Sequence, residues 1–133
     1  VQFHTAHKYL LLAHSREHYQ VLGRLVAQVH RYRPPDLMAR YGGLFMEALA
    51  VKATPRKHVN VLQHLVGHLK DRLSPRERVE LDGVILDYHR GLVPLIVPVV
   101  LIKHYVALYE IAYIQDQVYL SPHPKELMLR NHV

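Results

Sequence analysis

Thr54-Pro55-Arg56-Lys57-His58-Val59-Asn60-Val61-Leu62-Gln63-His64-Leu65-Val66-Gly67-His68-Leu69-Lys70 reads as one helix with a marked start. Thr54 can cap the orphan amides of the first turn, and Pro55 suits the first helical position, where its missing N–H costs nothing. Val59, Leu62, Val66, Leu69 and then Leu73 recur at helical spacing and predict the buried stripe. The opposite face is unusual. Arg56, Asn60, Gln63 and Gly67 share it, with Lys57 and His64 alongside, and no acid occurs from Thr54 until Asp71. Donors, cations and one position without a side chain suit a polyanion at close range better than plain water.

Outward from this segment the punctuation stays helical. Phe3 to Ala13 is expected as a first helix with Phe3, Ala6, Leu10 and Ala13 on one side, and Ser15 reads as the cap of the next. There Tyr19, Leu22, Leu25, Val26 and Val29 form an apolar face, with Gln20, Arg24, Gln28 and Arg31 opposite. Pro34-Pro35-Asp36 breaks the chain, and Leu37, Tyr41, Leu44, Phe45 and Ala48 make a third stripe. After the helix from Thr54, Ser74-Pro75-Arg76-Glu77 is a capping box that opens a fifth helix ending near Gly91. Pro98 inside a helix begun at Pro94 would clash with the preceding turn, so Leu92–Val97 is expected to be extended and a sixth helix to run from Pro98 to about Tyr109. Tyr119 to Pro124 is expected as an extended crossing, followed by a short terminal helix. The fold expected is all-α: one domain over residues 1–133, a compact bundle of about six helices with a proline-bounded central segment.

Composition narrows the chemistry. The chain has no cysteine, which excludes disulfides, thiolate catalysis and a cysteine-held iron–sulfur cluster among its own residues. Net charge is +6, unevenly placed: residues 1–72 hold eleven Lys or Arg against four Asp or Glu, and residues 73–133 six against seven. The first half therefore predicts a basic surface attractive to phosphate. The most apolar run, Leu92 to Ile102, is eleven residues long with two prolines, against about 20 needed to span a membrane. No signal peptide is read at the start, Val1 is not an initiator, and the expected location is the cytoplasm.

The wording of the Thr54 helix resembles the signature of the YbgA-like family, small bacterial helical domains found alone or attached behind a cysteine-rich desulfidase domain of the thiouracil desulfidase type. Phe3-His4-Thr5-Ala6-His7-Lys8-Tyr9, Gly91-Leu92-Val93-Pro94-Leu95-Ile96-Val97-Pro98 and Gln117-Val118-Tyr119-Leu120-Ser121-Pro122-His123-Pro124 with Glu126 to Asn131 fit the same family in the same order. The resemblance implies an RNA-holding, tRNA-holding module that serves a domain removing sulfur from thiolated uridine, in cis or in trans. On that reading Arg24, Arg31, Arg56, Lys57 and Lys103 meet phosphates, while Asn60, Gln63 and His64 bond sugar or base edges beside Gly67. His4, Lys8 and Arg130 lie in family motifs and either join them or hold the bundle together. Tyr119 is expected to offer a stacking face for an unpaired base, because its neighbours look extended.

Two other readings stay open. One is a protein-interaction module that binds a desulfidase partner. The other is a small histidine-based metal enzyme: among twelve histidines, His4 with His7 and His64 with His68 stand a turn apart, and His14-Ser15-Arg16-Glu17-His18 matches an inverted zincin pattern. The expected cap at Ser15 would separate that last pair, and no metal, cofactor or catalytic residue is assigned. Gly42-Gly43 is expected to permit close helix packing, and His58 to be a core-edge histidine with a satisfied hydrogen bond.

Overall fold

A computed structural model describes residues 1–121, all of whose regular elements are helical. The α-helices are α1 (Gln2–Ala6), α2 (Lys8–His14), α3 (Arg16–Ala27), α4 (Pro34–Ala50), α5 (Pro55–Leu69), α6 (Pro75–His89), α7 (Ile96–Leu108) and α8 (Ala112–Gln115), with 3-10 turns at Val29–Arg31 and Val118–Leu120. Arg130 and the expected terminal helix lie outside the described residues.

The helix starts follow from their caps. Ser15 accepts the His18 amide, Thr54 the Lys57 amide, and Ser74 with Glu77 forms the reciprocal capping box. At the end of α6, Gly91 takes the left-handed conformation (φ 76°), with its amide on the Tyr88 carbonyl and the Leu92 amide on Asp87. That is the Schellman closure, and glycine meets it without a Cβ penalty. The end of α7 repeats the closure with a residue poorly suited to it. Glu110 stands at φ 52°, and the Ile111 amide reaches back to the Val106 carbonyl at 3.0 Å.

Two apolar clusters organise the bundle. The larger joins Tyr9 and Ala13 of α2 to the buried sides of α5, α6 and α7, with Ile114, Tyr119 and Leu120 closing it. The smaller contains Leu11, Leu22 and Ala48, flanked by the half-buried Tyr19, Tyr41, Leu44 and Phe45. Helix α2 belongs to both.

Several expectations change in detail. The first helix is two, because His7 leaves the helical path (φ −102°, ψ 7°) and its ring Nδ1–H donates to the Phe3 carbonyl at 2.7 Å. Phe3 accordingly turns toward α4, its ring 5.2 Å from that of Phe45. The buried arc of α5 is broader than the expected stripe and includes His58, Val61 and Leu65, because α2 packs on one side and α6 and α7 on others. Val59 is only half-buried. Helix α7 begins at Ile96, so Pro98 lies in the first turn, where an amide would have had no helical partner. The expected extended segment is not found: residues 91–93 and 95 lie in turns and bends, Leu95 is already in the helical conformation (φ −56°, ψ −33°), and Pro98 itself is buried. Gly42 and Gly43 face solvent, and a Cβ at either would meet nothing within 4 Å, so close packing does not explain them. On the solvent side of α6, Arg78 pairs with Asp82 at 3.2 Å.

Tyr119 is the largest correction. It lies in the 3-10 turn, not in an extended crossing, and is 0 % exposed, so it offers no stacking face. Its hydroxyl meets His58 Nδ1 at 2.8 Å, which gives His58 the expected buried hydrogen bond. Tyr88 is enclosed in the main cluster, and burial pushes its hydroxyl pKa up to about 12.

Glu110 generates a direct expectation. A left-handed non-glycine residue costs on the order of 1–2 kcal/mol, partly offset by the roughly 0.5–1 kcal/mol that glycine loses in chain entropy. Glu110→Gly should therefore raise the chemical-denaturation midpoint, by about 0.5–1 kcal/mol of stability. No gain would mean that the cost at this position is relieved elsewhere.

Candidate nucleic-acid interface

Helix α5 presents Arg56, Asn60, Gln63, His64 and Gly67 to solvent on the side turned from the core. A Cβ at Gly67 would meet nothing within 4 Å, so the backbone there is open to a ligand. Between Glu47 and Asp71 the chain carries no acid, so the formal charges along this stretch, on Lys52, Arg56, Lys57 and Lys70, are all positive.

Lys57 behaves differently from its neighbour. Its ammonium donates to the carbonyls of His14 and Lys52, both at 2.9 Å. His14 in turn donates from ring Nδ1 to the Val51 carbonyl at 2.8 Å. The end of α2 and the connector before α5 are thus clasped by one charged side chain. Its three donors are partly spent on protein carbonyls, and it is the α5 cation least available to a phosphate.

At the far end of α5 the polar face meets α2 and α8. Tyr9, 1 % exposed, shares a 3.0 Å hydrogen bond with His68 Nε2. The His68 ring lies 4.7 Å from that of Tyr113, an α8 residue that is 59 % exposed. Lys8 Nζ is 3.4 Å from the Tyr113 hydroxyl and 5.4 Å from the Tyr9 ring centre. Burial lowers the pKa of His68, with Lys8 and then His64 adding repulsion, so the ring holds a proton less readily than an ordinary imidazole. Lys8, His64 and His68 therefore share one electrostatic neighbourhood. Neither His68 nor Tyr113 was singled out as an RNA contact from sequence, because their meeting depends on α8 folding back over the N-terminal helices.

The remaining expected contacts are dispersed. Lys103 is exposed on α7. Arg24 and Arg31 are exposed on α3 and the turn after it, in the part of the bundle where α3 packs on α4 and α2. His4 is half-buried, hydrogen-bonded through Nδ1 to the Tyr41 hydroxyl at 2.9 Å and stacked 5.1 Å from Tyr19, so it ties α1 to α3 and α4.

Beside His4 lies an apolar groove of about 400 Å³, lined by Phe3, Val26, Val29, Met38 and Phe45 among others. The histidine spacings do not converge there or elsewhere: among the described residues no three His, Asp or Glu side chains group as metal ligands. His14 and His18 are split by the Ser15 cap, and His18 Nδ1 bonds the Ser15 hydroxyl at 2.7 Å. No described helix is long and apolar enough to cross a membrane.

Two expectations follow. Lys57→Ala should cost about 1–2 kcal/mol in chemical denaturation, as loss of charged hydrogen bonds does, whereas Arg56→Ala should stay within about 0.5 kcal/mol of the parent. Equal costs would show that the clasp contributes nothing. His4, like His68, has its pKa lowered mainly by burial, from the ordinary 6.5. The folded protein thus binds these protons less readily than the unfolded chain. Their stabilising contribution is complete above 6.5 and is lost as pH falls through the lower folded-state values. Ring titrations followed by nuclear magnetic resonance should show both midpoints below 6.5, and a His4→Gln/His68→Gln variant should lose less stability on acidification. Midpoints at or above 6.5 would remove that source of acid sensitivity.

A family model described as a protein of unknown function, DUF1722, matches residues 8–124. The uncharacterized protein YbgA of Escherichia coli (strain K12) is 36 % identical over 132 residues, covering 98 % of this chain and 78 % of that protein. No solved structure matches. Lys8 and Tyr9 at the start of α2, the α5 helix with its polar face, and the α8 segment that meets them all fall within the residues the family model matches, and the chain belongs to this YbgA-like DUF1722 family.

Proposed function

We propose that the chain binds RNA, with tRNA as the substrate class, and serves thiouridine desulfurisation by a cluster-bearing desulfidase in cis or in trans, in the cytoplasm. The observation that carries this reading is the acid-free run from residue 48 to residue 70, whose helix turns Arg56, Asn60, Gln63, His64 and an open Gly67 outward together. Arginine holds phosphate while amide and imidazole groups reach sugar or base edges, and the bare backbone lets the strand come close. Lys8 adds a cation at the end of the row, and Lys103 a further one on α7. The whole of residues 1–133 acts as one binding unit. With no cysteine in the chain, the cluster ligands that sulfur removal requires come from another domain.

A protein-interaction module is the second reading, favoured by the apolar groove beside His4 and by Met38, 75 % exposed on its rim. Salt separates the two, since apolar contact is insensitive to ionic strength and phosphate contact is not.

Binding to structured RNA should weaken with a log–log salt slope of about −2 to −4, which corresponds to roughly three to five phosphate contacts. Arg56→Ala should flatten the slope by about one with the helical signal unchanged. An unaltered slope in folded Arg56→Ala would take α5 out of the interface. Supplied with a cluster-bearing desulfidase domain, the chain should enhance turnover of thiolated tRNA far more than that of a free thiolated base, because only the polynucleotide carries phosphates to hold. Equal enhancement would refute the substrate-holding role.

A further inference from the structure

We propose that Tyr113, backed by His68 and flanked by Lys8, is the seat for one unpaired base of the bound RNA. The proposal rests on the RNA-binding reading above and narrows its ligand to RNA that offers a nucleotide outside a duplex.

Tyr113 is a large apolar ring left 59 % exposed on α8, a helix of only four residues. A ring used only to anchor that helix would be turned inward, as Ile114 beside it is at 0 % exposure. Outward exposure is balanced by a firm backing. The His68 imidazole lies 4.7 Å away at 35° and is itself fixed by the 3.0 Å bond to Tyr9, which is buried in the main core. The Tyr113 ring therefore rests against His68 on one side and turns its exposed area to solvent.

Lys8 supplies the second half of a nucleotide site. Its ammonium is 3.4 Å from the Tyr113 hydroxyl and 5.8 Å from the ring centre, so it lies beyond the hydroxyl end and not over the ring face. A base can stack on the ring while the nucleotide's phosphate approaches the ammonium. Ring faces accept any base, and stacking on an aromatic side chain is a substantial, sequence-tolerant contribution. Burial and the nearby Lys8 disfavour a proton on His68 behind the ring. Continuity with the α5 face completes the case: His64 stands one turn from His68, so the stacking seat lies at the end of the row Arg56, Asn60, Gln63, His64 and Gly67.

The test uses the full chain and two RNAs of equal length, a hairpin with 2-aminopurine in its loop and a fully paired duplex with the same fluorophore in a stem. Binding should quench the loop fluorophore and leave the stem fluorophore nearly unchanged. Tyr113→Ala should abolish that quenching and weaken loop-RNA binding roughly tenfold or more, with duplex affinity unaltered, while Tyr113→Phe should keep both properties. Because residue 113 is largely exposed, the helical signal and denaturation midpoint should be retained, which separates lost stacking from lost folding. Salt-sensitive loop-RNA binding that Tyr113→Ala leaves intact overturns the stacking seat alone. Absence of salt-sensitive binding to either RNA overturns the seat together with the RNA-binding reading.

Discussion

Helix α2 has to remain fixed between two apolar clusters, and the other helices take their places from it. Seven residues are too few for a helix to stand alone in water, so its stability comes from packing and from closed ends. Tyr9 and Ala13 enter the large cluster, while Leu11 enters the small one. Its last carbonyl, on His14, is taken by the Lys57 ammonium, and the His14 ring holds the connector that leads into α5. At its start, the Tyr9 amide reaches Gln117, whose own amide donates to the Thr5 carbonyl at 2.7 Å. One short segment thus carries the N-terminal residues, the α4–α5 connector and the turn near residue 118.

This arrangement explains why the polar side of α5 is free. A helix gripped by α2, α6 and α7 has a wide buried arc, and its remaining positions are left to water. The two adjacent cations at its start then divide by direction. Arg56 points outward, whereas Lys57 points back to the clasp. The same logic makes His4 and Tyr119 internal ties between segments distant in sequence.

What the sequence made legible was most of the helix ends that side-chain caps and glycine fix locally. Ser15, Thr54, the Ser74–Glu77 box and Gly91 mark helix ends through bonds within a few residues, and they mark them in the structure. The polar positions of α5 were legible too, since helical period alone sorts them. Pro98 was misplaced because the proline clash applies to a helix interior, and the helix starts two residues before it. Tyr119, Lys57 and Tyr113 escaped for a shared reason. The partner of each lies roughly 40 to more than 100 residues away, at His58, His14 and Lys8, and no periodicity encodes such meetings. Lys57 and Arg56 are adjacent and equally basic, and only the position of a carbonyl from α2 distinguishes their roles.

The unequal size of the two clusters has a consequence for motion. Among the described residues, Leu11, Leu22 and Ala48 are the fully enclosed members of the smaller one, and its flanking rings stay half in water. Separating α3 and α4 from the rest exposes far less apolar area than parting α5, α6 and α7, so it requires less free energy. Amide protons of α3 and α4 should therefore exchange through a partial opening that leaves the larger cluster shut. That opening adds little at the groove beside His4, where Phe3, Val29 and Met38 already stand in water.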